Sequence, residues 1–259
     1  LLTRDTYNHN HTVSMSGGGE TGRYYASLGY TKEMGVVRTQ DNDRYTASMN
    51  LQTNIAEMLS ANVRLNASVM KKQYLPSEID PLGYAYNTTR ALPAYNEDGS
   101  YYFYQRHAYN IGTDKPANYK YRYNMLNEMS NAEQQHSSDN ILAALDLMYR
   151  YKYMFDLTLT TSYQRASSHG HTWFGQHSNY VAQLKNGEVE ADPIPGAYGT
   201  SDLPYGGVYN MNKSVTENFT LRLQANFRHA FGARKQHQTS ASLGYEVNMN
   251  NTSGFAEQT

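Results

Sequence analysis

Gly17-Gly18-Gly19-Glu20-Thr21-Gly22 spells G-x-G-x-x-G, the pattern that cradles a dinucleotide's pyrophosphate. That chemistry needs a helix to follow, so that its N-terminal N–H groups face the phosphates. Arg23-Tyr24-Tyr25-Ala26-Ser27-Leu28-Gly29-Tyr30 follows instead, and it reads as a strand, so the glycines are expected in a hairpin turn. His9-x-His11 and His169-x-His171 each put two imidazoles on one face of an extended chain. Zinc needs further ligands and the chain has no cysteine, so these are read as loop or rim histidines. Asp41-Asn42-Asp43 lacks the glycine and bidentate glutamate of a calcium loop and is read as a turn. Neither G-x-S-x-G nor H-E-x-x-H occurs, the carboxylates are scattered, and Glu97-Asp98-Gly99 reads as a turn. No pattern supports catalysis, a cofactor or a metal.

The remaining chemistry is aromatic. The chain has 25 tyrosines, and eleven of them lie between Tyr74 and Tyr123. A tyrosine exposed on a loop can stack on a sugar ring or bury against a partner protein, or it can simply pack its own loop against the rim. Trp173, the only tryptophan, is expected in a second long loop with the same choices.

The elements that must carry these loops are strands. Eight stretches alternate apolar and polar residues, near 9–17, 22–32, 43–52, 59–72, 138–148, 154–166, 216–230 and 237–250. In Phe219-Thr220-Leu221-Arg222-Leu223-Gln224-Ala225-Asn226-Phe227-Arg228 the alternation is unbroken, so one face is apolar and the other wet. The apolar faces carry residues such as Val13, Leu28, Ala47, Leu65, Leu145, Leu159, Leu223 and Leu243. The opposite faces carry Arg44, Arg64, Asp146, Arg150, Asp156, Arg222, Arg228 and Glu246. A one-residue slip would turn these charges outward, at roughly 2–4 kcal/mol for an Arg at a bilayer midplane, which pins the register if the outside is lipid.

Connections alternate short and long. Those at 17–22, 52–58, 150–153 and 231–236 are short, 33–42 is intermediate, and about 73–137 and 166–215 are very long. Outer-membrane barrels have short turns at one rim and long loops at the other. Eight strands could close into a narrow barrel, but loops of this size match a wide barrel better, of which this chain would be one arc.

Composition agrees. Mean hydropathy is -0.75, and no run approaches the ~18 apolar residues of a membrane helix. A barrel strand needs apolar residues only at alternate positions. The net charge of -1 argues against a nucleic-acid or anionic-membrane partner. The chain starts at Leu1 without a signal-peptide pattern and is expected to be an internal fragment of a longer protein.

Three segments resemble the SusC/RagA family of TonB-dependent outer-membrane transporters. The first is Val13-Ser14-Met15-Ser16-Gly17-Gly18-Gly19 with Tyr24-Tyr25-Ala26-Ser27-Leu28-Gly29-Tyr30. The second is Glu33-Met34-Gly35-Val36-Val37 with Arg44-Tyr45 and Asn50-Leu51. The third is Asp80-Pro81-Leu82-Gly83-Tyr84-Ala85-Tyr86 with Arg90-Ala91-Leu92-Pro93-Ala94-Tyr95-Asn96-Glu97-Asp98-Gly99-Ser100-Tyr101. They cover roughly residues 12–105; beyond that only the strand pattern matches.

The resemblance implies an all-β fold: residues 1–259 form part of one antiparallel transmembrane β-barrel domain, about eight strands of 22. The plug domain and the signal peptide would lie outside this chain. It implies a Gram-negative outer-membrane importer that takes up oligosaccharides, or in some members peptides. A SusD-like surface lipoprotein caps its mouth, and TonB drives it through segments outside this chain. Asp80, Tyr84, Tyr86, Arg90, Tyr95, Tyr101, Tyr104 and Trp173 are the candidates for substrate or partner contact. Two other functions compete. A passive pore or structural barrel would have neither plug nor lid. A soluble sugar-binding or hydrolytic module would leave apolar faces on eight strands to be covered by a second sheet.

Overall fold

The structure is a computed structural model that describes residues 1–109, 116–152, 154–184, 206–232 and 236–259. The chain runs β1 (Tyr7–Gly18), β2 (Gly22–Met34), β3 (Asp41–Ala56), β4 (Leu59–Tyr74), α1 (Pro81–Asn87), β5 (Tyr104–Tyr109), β6 (Pro116–Tyr123) and α2 (Met125–Ser130). It continues through β7 (Ala132–Tyr151), β8 (Phe155–Phe174), α3 (Asn179–Leu184), β9 (Val208–Phe231) and β10 (His237–Gln258). Strands β1, β2, β3, β4, β7, β8, β9 and β10 form one sheet in that order, and β5 pairs with β6 in a separate hairpin. Every pairing is antiparallel. Among the described residues the sheet is open: β1 pairs only with β2, and β10 only with β9. It is an arc, not a closed eight-stranded barrel.

Register carries the two faces across the whole sheet. Val13 stands opposite Leu28, Leu28 opposite Ala47, Ala47 opposite Ala67 and Ala67 opposite Ile141. Leu147, Leu159, Leu223 and Tyr245 continue the same face over the last four strands. Large side chains on this face stand open: Val13 is 74% exposed, Leu28 66% and Leu243 77%. A face so wide and so apolar is stable only against a non-aqueous surface. Aromatic residues border it. Phe155 opposes Phe227 near the short turns, and Tyr163 opposes Phe219 eight residues up the same strands. Those eight residues measure about 26 Å of strand. The lipid-facing band of a membrane barrel is about 25 Å tall and flanked by aromatic girdles. On β2 and β3 the upper border is the Tyr30–Tyr45 stack, with centroids 4.9 Å apart.

All eight sheet strands expected from the alternation are present, but several run further. Strand β7 begins at Ala132, β8 reaches Phe174, β9 begins at Val208 and β10 reaches Gln258. The extensions lie on the long-connection side. There polar residues stand on both faces, apart from the core-facing ends Ala132, Phe174 and Val208, so the period-two signal ends while the hydrogen-bonded ladder continues. The long connections shrink to 75–131 and 175–207, and the intermediate one to 35–40. Gly17–Gly22 is a hairpin turn as expected, closed by Gly19 N–H donating to the Gly22 carbonyl at 2.8 Å. The Asp41-Asn42-Asp43 segment is not a turn: all three residues belong to β3, and Asp41 and Asp43 share its outward face with Tyr45.

A dry core exists where the long connections meet the rim. Val37, Leu75, Ile79, Tyr123, Met125, Met129, Ala132, Phe174 and Val181 are buried together there. Among the described residues the sheet between its aromatic borders has no second layer over it. This small core therefore holds the loops in place.

Candidate functional site

The connection from β4 to β7 is built by local capping. Asp80 accepts from the Gly83 backbone N–H at 2.9 Å and so caps α1, with Pro81 in the first turn. Gly83 has to be small, because a Cβ there would collide with the Asp80 carboxylate. Further on, Tyr95 and Tyr101 form an isolated bridge and stack at 5.7 Å. Between them Gly99 takes φ 84°, a left-handed conformation that glycine adopts without strain. Asp98 accepts from the Ser100 hydroxyl at 2.6 Å and the Ser100 N–H at 2.9 Å. These bonds to the charged form hold its carboxyl below the ordinary aspartate value.

Asn124 ties this hairpin to α2. Its Oδ1 accepts from Leu126 N–H at 2.8 Å and Asn127 N–H at 3.3 Å. Its Nδ2 donates to the carbonyls of Ala94 at 2.9 Å and Tyr102 at 2.8 Å. One buried amide thus satisfies a helix N-terminus and two loop carbonyls. Beside it opens a pocket of about 420 Å³, lined by Leu2, Tyr84, Thr88, Arg90, Tyr102 and Tyr104 among others. Tyr84 and Tyr104 both pack on buried Tyr123, at centroid distances of 5.9 and 5.7 Å.

The structure therefore sorts the expected contact residues. Tyr84, Arg90 and Tyr104 come together at one pocket. Tyr86 stands free at 89% exposed. Tyr95 and Tyr101 are engaged with each other, and Asp80 acts as a helix cap. Trp173 is not in a loop. It lies in β8, opposite Glu133 and Tyr209, on the face that Tyr163 shares.

The two long connections dock on each other through α2. Asn127 Nδ2 donates to the His177 carbonyl at 2.9 Å, and Gly175 N–H donates to the Asn131 carbonyl at 2.8 Å. The Glu128 carboxylate, 2% exposed, accepts from Asn179 N–H at 2.7 Å and Asn127 Nδ2 at 3.1 Å. Phe174 stacks on Tyr180 at 4.1 Å beneath this junction. No chemical motif marks these residues in the sequence. Their signal was the spacing Asn124, Asn127, Asn131, which puts three amides on one side of a short helix.

Below the loops, the polar face of the sheet is charge-compensated. Arg64 pairs with Asp146 at 3.0 Å, and Asp156 pairs with Arg150 at 3.1 Å and Arg228 at 2.9 Å. Arg222 pairs with Glu246, and Arg44 lies against the Met70 sulfur at 3.5 Å. Such a wall is hydrated without a strong field of either sign.

No protein-family model matches the chain. Over 252 residues it is 25% identical to the TonB-dependent receptor SusC of Bacteroides thetaiotaomicron, covering 91% of this chain and 23% of that protein. Over 93 residues it is 34% identical to TonB-dependent receptor P26 of Formosa agariphila, covering 36% of this chain and 9% of that protein. The chain thus spans less than a quarter of the length of these curated relatives. The fold resembles that of the RagAB peptide importer in its closed-closed state, with a TM-score of 0.62 at 14% identity, covering 96% of this chain and 25% of the solved one. The lipid-type outer face and these relatives agree with the resemblance read from the three sequence segments: the chain is an antiparallel barrel-wall segment similar to part of SusC-like TonB-dependent receptors.

Proposed function

We propose that the whole receptor imports oligosaccharides across the outer membrane, through a plugged barrel driven by TonB and capped by a SusD-like lipoprotein. The observation that carries this reading is the sheet's two-sidedness. An unbroken apolar face fits lipid, and a polar face whose charges pair internally fits passage of a neutral, hydroxyl-rich solute. The tyrosine-lined pocket beside Arg90 offers ring faces and one cation at the long-loop rim, where substrate or lid would arrive. A peptide is the alternative cargo, favoured by the likeness to the peptide importer.

The test is extraction of the full receptor from outer membranes in mild detergent, with mass spectrometry of everything retained. Co-purification with a plug-bearing parent chain and a surface lipoprotein supports the importer, and retained glycan or peptide names the cargo. A chain recovered without plug or lipoprotein overturns it in favour of a passive pore.

A further inference from the structure

The inward face of the sheet is charged near the short turns and again near the long connections, but not between. Ser27, Ser48, Asn66, Gln164, Asn218 and Asn250 stand in one register row, which starts at Ser14 on β1 and is broken only by Leu142 on β7. The next inward row towards the long connections, from Thr12 on β1 to Thr252 on β10, holds only Thr, Ser, Asn, Gly and Ala. Arg64 bounds this strip on β4, two residues below Asn66, and Arg44 bounds it on β3, two residues above Thr46. No residue of either row is buried.

The strip is not level. Ser27 and Ser48 lie three residues from Tyr30 and Tyr45, on the short-turn side of that border. Gln164 and Asn218 lie one residue from Tyr163 and Phe219, on the long-connection side of theirs. Crossing from β2 to β9, the row therefore climbs four residues against the aromatic border, about 13 Å. Strands tilt in a barrel wall, so a line drawn across them rises. One end of the strip sits at membrane depth and the other at the mouth.

Its chemistry is amide and hydroxyl. The Ser27 and Ser48 hydroxyls are hydrogen-bonded at 2.8 Å. Asn250 Nδ2 donates to Asn218 Oδ1 at 2.7 Å, and Gln164 Nε2 donates to Asn140 Oδ1 at 3.2 Å. An amide has two N–H donors and two acceptor lone pairs, so these bonds leave capacity facing the lumen. A hydroxyl-rich chain can exchange hydrogen bonds from strand to strand, in steps of about 4.8 Å. Many weak sites in series admit a solute and release it again. A carboxylate or ammonium on the cargo would meet no counter-charge on the strip.

We propose that this strip is the specificity-determining track for uncharged oligosaccharide, running from Asn218 and Gln164 at the mouth to Asn66, Ser48 and Ser27 at membrane depth. This rests on the importer reading above and names the part of the wall that selects neutral cargo.

The experiment uses whole cells carrying the full receptor and its lipoprotein, and three size-matched labelled mixtures: neutral oligosaccharides, uronic-acid oligosaccharides and peptides. Wild type is expected to accumulate the neutral mixture fastest. Asn66→Asp and Gln164→Glu are each expected to slow that uptake about fivefold, the net worth of one hydrogen bond. Asn66→Gln, and Thr158→Asp nearer the short turns, are expected to leave it unchanged. Heat-modifiable gel mobility and lipoprotein co-purification check that each variant is folded and capped. Unchanged uptake in the doubly substituted Asn66→Asp, Gln164→Glu receptor overturns the track, and so does wild-type uptake of the uronic-acid mixture as fast as the neutral one. A rise in ion conductance of either variant in planar bilayers also overturns it and makes the strip a seat for the plug. Wild-type cells that accumulate peptides alone, or none of the mixtures, overturn the oligosaccharide-importer reading itself and the track with it.

Discussion

The Glu128 carboxylate accepts a hydrogen bond from the Asn179 backbone N–H at 2.7 Å, across 51 residues of chain. The bond joins the two long connections into one body above the rim. A buried carboxylate is costly unless its lone pairs are filled, and here they face a backbone N–H and the Asn127 amide. Glu128→Ala leaves these donors unsatisfied, at about 1–3 kcal/mol. The expected outcome is faster hydrogen exchange and protease cleavage at 175–184, with the barrel's heat-modifiable mobility unchanged. Unchanged protection in that segment would remove the junction from the account.

Asp80 is a cap and not a free ligand group. Asp80→Ala is expected to cost about 1 kcal/mol of local stability, seen as faster exchange at the Gly83 and Tyr84 amides. Asp80→Asn, which keeps the acceptor oxygen, is expected to restore most of it. If Asp80→Asn instead loses substrate binding while exchange stays normal, Asp80 touches the substrate.

The two faces should respond differently to the same charge. Leu223 faces outward and Gln224 inward on adjacent positions of β9. Leu223→Arg is expected to destabilise the folded receptor in bilayers by roughly 2–4 kcal/mol and Gln224→Arg by well under 1. Urea titration of folding into vesicles measures both. Equal costs would mean that the apolar face does not meet lipid.

The Asp98 turn should resist acid. Its carboxyl is held below the ordinary aspartate value by the Ser100 hydroxyl and then the Ser100 N–H. A depressed folded value contributes stability above the unfolded value of about 3.9. That contribution fades only as pH falls through the lower folded value. The 96–101 turn is therefore expected to stay closed at pH 4.5 and to loosen below the usual carboxylate range, by NMR titration of the Asp98 side-chain carbonyl carbon. Asp98→Ala is expected to remove the transition.

Much of the architecture was legible because lipid imposes a rule on every second residue. Leu221, Leu223 and Ala225 cannot exchange faces with Arg222, Gln224 and Asn226 without placing a charge in hydrocarbon, so strand, face and register follow from one pattern. The Asp98-Gly99 turn was legible for a similarly local reason, the conformational freedom of glycine, and the Gly17–Gly22 turn because glycine leaves room where Gly18 meets the Gly22 carbonyl. Above the aromatic border that rule lapses. The extensions of β8 towards Phe174 and of β9 back towards Val208 carry polar residues on both faces before their core-facing ends, and left no periodic trace.

The loop core was out of reach of any local reading. Leu75, Tyr123, Phe174 and Val181 are spread over more than a hundred residues and are apolar for each other, not for a neighbour in sequence. The same holds for the pairing of Glu128 with Asn179 and for the row that sets Ser48 in line with Asn66, Gln164 and Asn218. The sequence by itself determined the strands, their faces and the membrane side of the sheet, because period-two patterning is local. Only the tertiary structure decided which loops meet and which charges pair across the polar face, because those depend on residues brought together from distant parts of the chain.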